Sequence, residues 1–423
     1  MHLLLTAIGS YGDVHPMIGL GAAMRERGHE VTLITNPYFA EEIETAGLEW
    51  AAISSVEEYQ QVTSHPDIWH SRRGMSLVFR WSAERLLRPL YERIVQFYRP
   101  GETVIAAHPL DIASRIARES LAAPVVSVVF APMTLWSDDQ PPRMSGAPIG
   151  PGKPRWWNRG WLWLGEQVVM RRFVRPHVAA VRRGLGLRSV GRIFPDWWFS
   201  SGHTLALFPD WFVGSERPPA DWPAGTELAG FPLWDGDAPQ QPAALNHELE
   251  TWLDLHRENR PLVFTPGSAN RSATHFFDQA IDACGRLGRP ALFLTKYTEQ
   301  LPSHRPPWVR HATFEPLSRV LPRAAAFVHH GGIGSCSQGL AAGIPQLIHP
   351  LSYDQPDNAL RLEQLGVGAT LPPSAFTGSS AAAALSRLLD SRTTADRCRQ
   401  LATRCNGSAA RERACEYFER LAN

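Results

Sequence analysis

At 423 residues the chain exceeds what one ordinary hydrophobic core serves, so two domains are expected. An apolar fraction of 44% and a charged fraction of 20% exclude a disordered chain, and 42 Lys+Arg against 41 Asp+Glu leaves no whole-molecule attraction for nucleic acid. The five cysteines form no C-x-x-C pair and read as reduced thiols, and no run reaches the ~18 apolar residues of a membrane span.

Residues 3–8 form an apolar run without a basic flank, too short for a signal sequence, which breaks at Gly9 as a buried first strand would. A cytoplasmic protein is the expectation. Gly9-Ser10-Tyr11-Gly12-Asp13 reads as a loop by composition, and helical spacing then runs through Ile18, Leu20, Ala23 and Met24 to Gly28. Residues 31–35 give a second strand, and 104–107 and 125–130 give two more. Short apolar runs alternating with amphipathic helices predict a parallel sheet covered on both faces.

Residues 153–192 are rich in Trp and Arg, with Trp156, Trp157, Trp161 and Trp163 near Arg155, Arg159, Arg171, Arg172 and Arg175. Two readings stand: the rings line a pocket or pack while the Arg groups reach water, or the segment lies against a membrane surface. A Pro/Gly/Asp/Gln stretch marks a linker at 232–242. A second series follows, with strands at 262–265, 291–295, 325–328 and 345–348 and a helix at 276–287. The division expected is 1–231, linker 232–242, and 243–405, with 406–423 a helix that could pack back on the first domain.

Three segments carry chemistry. Val328-His329-His330-Gly331-Gly332-Ile333-Gly334-Ser335 runs from strand to helix, where glycines permit close approach and helix N–H groups favour an anion; His330 and Ser335 could add donors. A turn needed only for tight packing would look the same. Next, Pro350-Leu351-Ser352-Tyr353-Asp354-Gln355-Pro356-Asp357-Asn358 follows the neighbouring strand, where ligands gather in open parallel sheets. A carboxylate beside an amide suits sugar hydroxyls, so Asp354 reads as a ligand group and Asp357 as a helix cap. Third, Asp13 and His15 follow the first strand as two candidate bases, with Asp13 equally placed to cap the helix. His329 and His330 are adjacent and point to opposite faces, so no metal site is expected. The His-Pro pairs at His65, His108 and His349 read as strand ends or turns. No G-x-S-x-G, P-loop or GxGxxG is present.

Taken in order, Gly9 to Pro16, Phe314-Glu315-Pro316-Leu317, Val328 to Ser335, Gly343-Ile344-Pro345-Gln346 and Asp354-Gln355 resemble the GT-B, UDP-glycosyltransferase superfamily (glycosyltransferase family 1) over essentially the whole chain. Arg192-Ile193-Phe194, Leu207 to Phe212, Asp221-Trp222-Pro223 and Gly230 to Gly236 are similar to bacterial enzymes with lipophilic acceptors. Among these are the rhamnosyltransferases of rhamnolipid synthesis and the sterol and macrolide glycosyltransferases.

The resemblance implies two Rossmann-like α/β domains with parallel sheets facing across a cleft, and an inverting, metal-independent hexosyltransferase using a UDP- or dTDP-sugar as substrate, with no cofactor. By motif, Asp13 is the catalytic base, and His330, Gly332, Gly334 and Ser335 hold the diphosphate. Asp354 and Gln355 read the sugar hydroxyls, Phe314 and Leu317 hold the nucleobase, and Ser268 faces the donor. Gln338 stands where relatives carry a Glu for the ribose hydroxyls, which admits a deoxyribose donor. The Trp-rich surroundings fit a hydrophobic, hydroxylated acceptor. The rival readings are an epimerase or hydrolase of the same fold, a nicotinamide-dependent oxidoreductase, which the missing GxGxxG counts against, and a non-catalytic relative binding lipid or another subunit.

Overall fold

A computed structural model describes residues 1–214, 218–236 and 245–422. The chain divides into two units, Met1–Trp234 with Gly407–Asn423, and Asp235–Asn406. Of the linker read at 232–242, residues 237–242 lie outside the described residues.

The first unit is built on seven parallel strands: β1 (His2–Thr6), β2 (Glu30–Thr35), β3 (Glu49–Ala52), β4 (Thr103–Ala107), β5 (Val125–Val129), β6 (Thr204–Ala206) and β7 (Thr226–Leu228), in the order β3-β2-β1-β4-β5-β6-β7. Every residue of β1, β4 and β5 is buried, which is why these strands read as mostly apolar runs. The helix Gly407–Ala422 belongs to this unit: Ala410, Ala414 and Phe418 are buried, Arg413 Nε donates to the Ala229 carbonyl at 2.8 Å, and Arg27 pairs with Glu419 at 2.7 Å.

The Trp/Arg segment forms the helices Arg155–Gly165 and Arg175–Gly184, joined by a wider turn over Glu166–Val174. Leu162, Met170, Val174 and Val178 face inward, and the buried Glu166 carboxylate accepts the Ile193 and Phe194 N–H groups at 3.0 and 3.1 Å. Trp156 and Trp163 remain 71% and 55% exposed. No helix of the described residues is long and apolar enough to cross a membrane.

The second unit carries β8 (Leu262–Thr265), β9 (Ala291–Leu294), β10 (Val309–Ala312), β11 (Ala326–His329), β12 (Gln346–Ile348) and β13 (Gly368–Thr370), all parallel, in the order β10-β9-β8-β11-β12-β13. Alternation along the strands splits its core in two. Phe264, Phe293 and Val328 pack with Phe276, Phe277 and Phe376 on one face, while Val263, Leu292 and Phe327 pack with Leu249, Leu253 and Val320 on the other.

The two sheets share one plan. In each, the order reverses beside the first strand, between β1 and β4 and between β8 and β11. Chains leave these strand pairs in opposite directions, so their carboxyl ends flank a natural crevice.

Candidate active site

In the first unit, Gly9 (φ +138°) turns the chain after β1, and a Cβ there would stand 2.2 Å from Asp13 Oδ2. Only glycine lets the carboxylate fold back over this turn. Ser10 then donates to Asp13 Oδ2 from its N–H at 2.7 Å and its hydroxyl at 3.2 Å. That carboxylate cap starts the helix Tyr11–Glu26 at Tyr11, so Tyr11 to Asp13 is helix and not the loop its composition indicated. Asp13 therefore does cap, with one oxygen. Its Oδ1 faces His108 Nε2 at 3.3 Å. The Asp13 side chain is 34% exposed and that of His108 only 1%. His15 packs edge-on between Tyr11 and Trp234, and burial lowers its pKa to about 4.

His108 follows β4 and is fixed through its backbone. Its N–H donates to Thr6 Oγ1 at 3.0 Å, and the Thr6 hydroxyl donates to Asp111 Oδ2 at 2.7 Å. Its carbonyl accepts the Asp111 N–H at 2.9 Å and Arg115 at 3.3 Å. Asp111 and Arg115 are 0% and 2% exposed, and burial pulls the guanidinium down to about 10 against the pull of Asp111. The sequence offered His108 as a strand end or turn, and it does follow the last residue of β4. Its sole signal was a histidine at the carboxyl end of a strand, because its partner lies 95 residues earlier.

In the second unit, β11 runs into the glycine-rich turn. His329 is fully buried and structural: its Nδ1 accepts the Gly331 N–H at 3.1 Å and its Nε2 lies 2.9 Å from Gln346 Oε1. His330 points the other way. Its ring lies against Gly267, at the end of β8, and against Gly332; an added Cβ would stand 2.9 Å and 2.6 Å from it respectively. Neither ring nitrogen has a hydrogen-bond partner among the described residues, and Nδ1 is buried. Burial, then the neighbouring His349, lowers the His330 pKa to about 4, so the ring is neutral near pH 7.

The helix Ile333–Ala342 starts beside this ring. Gly332 occupies the cap position, where it supplies no side-chain acceptor to the first turn. Ser335 Oγ, in that turn, makes no hydrogen bond within the described residues. A Cβ on Gly334 would meet no protein atom within 4 Å. Gln338, one turn on, is 7% exposed.

Asp354 precedes the helix Gln355–Gln364, and its Oδ2 accepts Asn358 Nδ2 at 2.7 Å. The same amide donates to the Gly331 carbonyl at 2.9 Å, so Asn358 ties the two strand-end motifs together. Gln355 is 2% exposed, and its Oε1 accepts the N–H groups of Leu351 and Ser352 at 2.7 and 3.0 Å. Its carbonyl thus holds the loop that carries Tyr353, a non-glycine residue at φ +58°. Asp357 is not the cap: it is buried and pairs with Arg361 at 2.8 Å. Ser268 is exposed at the end of β8, Phe314 is 57% exposed, and Leu317 opens the short helix Leu317–Val320 against the Val320–Leu321 cluster.

Residues 3–137 match the glycosyltransferase family 28 N-terminal domain, and residues 291–417 the EryCIII-like (erythromycin biosynthesis protein CIII-like) C-terminal domain. The O-mycaminosyltylonolide 6-deoxyallosyltransferase of Streptomyces fradiae is 30% identical over 437 residues, covering 100% of this chain and 98% of that protein. Among solved structures, the glycotransferase of kitacinnamycin superposes with a TM-score of 0.72 at 19% identity, covering 100% of this chain and 99% of its own. The spinosyn rhamnosyltransferase SpnG complexed with thymidine diphosphate gives 0.68 at 20% identity, covering 98% and 100%. Both share the GT-B fold. The chain belongs to the glycosyltransferases that join a family 28 N-terminal domain to an EryCIII-like C-terminal domain.

Proposed function

We propose that the chain is an inverting, metal-independent hexosyltransferase that moves a sugar from a nucleoside diphosphate, dTDP in preference to UDP, to a hydroxyl of a lipophilic natural product. The observation that carries this reading is the open helix start at Ile333 beside an unpartnered, neutral imidazole. Backbone N–H groups without a cap, partial positive charge at a helix end and a neutral donor ring together favour a diphosphate. Thymidine diphosphate in SpnG and the tylonolide acceptor in the name of the Streptomyces fradiae relative support the donor and acceptor classes.

In this reading the acceptor oxygen bonds to the anomeric carbon as the bond to the diphosphate oxygen breaks on the opposite face. The acceptor's proton passes to Asp13. Charge developing on the leaving diphosphate is met by the Ile333 helix end and by His330, groups already oriented before reaction. Asp354, held by Asn358, faces the sugar hydroxyls.

Calorimetric titration of the full chain with dTDP, UDP and their glucose conjugates tests this. Binding of dTDP, tighter than UDP and weakened in His330→Ala, is the expected result. No binding of any nucleoside diphosphate would overturn the reading, and donor consumption without a new glycoside would favour a hydrolase.

A further inference from the structure

Asp13 is surrounded by donors whose arrangement fixes what each neighbour can do. Its Oδ2 takes two hydrogen bonds from Ser10, and its Oδ1 faces His108 Nε2. The decisive contact is on the far side of the imidazole, where the Leu110 N–H donates to His108 Nδ1 at 3.0 Å. A backbone amide can only donate, so Nδ1 must present its lone pair, and the single ring proton of the neutral form sits on Nε2. An imidazolium would set one N–H against another.

We infer that His108 is the positioning residue of the catalytic base, a neutral imidazole locked in the Nε2–H tautomer that donates to Asp13 Oδ1 and cannot take a proton from it. The inference rests on Asp13 being the base. It assigns the roles within the pair. His108 is 1% exposed and cannot touch an acceptor, whereas the Asp13 carboxylate is reachable. The proton arriving from the acceptor hydroxyl therefore stays on Asp13, at the Oδ1 lone pair that His108 leaves open. No relay through the histidine forms.

The surroundings are built for holding. Thr6, Asp111 and Arg115 fix the His108 backbone, and the Phe130 ring lies 5.3 Å from the imidazole at a tilt. Gly9 leaves the space in which the carboxylate turns toward it.

Two measurements on the full chain test this. With 15N-labelled histidine, the His108 imidazole, assigned by its loss in His108→Gln, should show the Nε2–H tautomer. Its Nε2–H signal should shift in Asp13→Asn. An Nδ1–H tautomer overturns the inference. With dTDP-glucose and 4-methylumbelliferone as donor and acceptor probes, His108→Phe should lose ~100-fold in kcat. Its donor KM and its affinity for dTDP should stay at wild-type values, the latter also reporting that the chain is folded. His108→Gln, whose amide can donate to Oδ1, should recover to within ~10-fold of wild type. His108→Phe with wild-type kcat sinks the positioning role. Asp13→Asn with wild-type kcat sinks instead the reading of Asp13 as base, so the two failures are distinguishable.

Discussion

The two sheets reverse strand order at equivalent places, yet the helix that begins at each place is finished differently. After β1, the helix start is closed by its own residues, with the Asp13 carboxylate folded onto Ser10. After β11, the helix start is left open, with Gly332 at the cap and no acceptor side chain. A closed start already holds its anion, and that carboxylate repels a second. An open start still has N–H groups to satisfy. On the proposed function, the difference matches proton chemistry in the first crevice and diphosphate binding in the second. Topology supplies two equivalent strand ends, and the cap residue is what distinguishes them.

The largest effect should come from breaking the first half of that contrast. Asp13→Asn keeps the shape and much of the cap but removes the proposed base, and turnover should fall by ~10² to 10⁴-fold while dTDP affinity holds. Steady-state rates beside calorimetry would show it, and lost dTDP affinity would move the diphosphate to the wrong crevice. Breaking the second half should invert the pattern. His330→Ala removes a donor from an otherwise unaltered helix start, and dTDP binding should weaken by ~10-fold, about 1.4 kcal/mol. The His108 tautomer should not respond to that change.

How much of this was legible in the sequence follows the same division. The fold could be read because strands buried on both faces leave apolar runs, at residues 3–5 and 262–264, punctuated by glycine turns. The open helix start could be read because its determinants, His330 through Ser335, are contiguous. The closed start was half legible: Ser10-x-x-Asp13 is a capping pattern in plain view, but glycine-rich composition argued for a loop. His108 could not be read, because nothing local marks a histidine whose partner is a carboxylate on another strand's turn. Asn358 was hidden for the same reason, since it acts by touching Gly331, 27 residues away. Asp357 shows the converse error, a helix-start carboxylate recruited by Arg361 one turn later.

Acid should sharpen the contrast between the units. Burial lowers His329 to about 3 and holds His330 and His349 at about 4, all in the second unit, whereas the first has His15 at about 4 and a lowered His2. An unfolded histidine takes up its proton near pH ~6.5. Between that value and about 4 the unfolded chain binds more protons, so stability falls as pH drops through this window. Native-state hydrogen exchange at pH 7 and 5, corrected for intrinsic rates, should show β8, β11 and β12 losing more protection than β1, β4 and β5. Equal losses would mean that the second unit's histidines are hydrated and its helix start less enclosed than its geometry indicates.

The smallest change probes the open start most directly. Gly334 lies in the first turn of the Ile333 helix with a negative φ, and a methyl placed there meets no protein atom. For the protein alone, Gly334→Ala should be neutral or stabilising by up to ~1 kcal/mol, since alanine loses less conformational freedom in a helix. For a diphosphate seated on the N–H groups of that turn, the methyl stands in its way. We expect a melting temperature equal to or above wild type together with several-fold weaker dTDP binding, a pairing that damage to the fold cannot produce. Gly332→Ala, whose methyl would strike the His330 ring, should weaken binding and lower the melting temperature together. If Gly334→Ala bound dTDP as the wild type does, the phosphates would have to approach from the His330 side alone, and the helix start would be open for some other reason than its ligand.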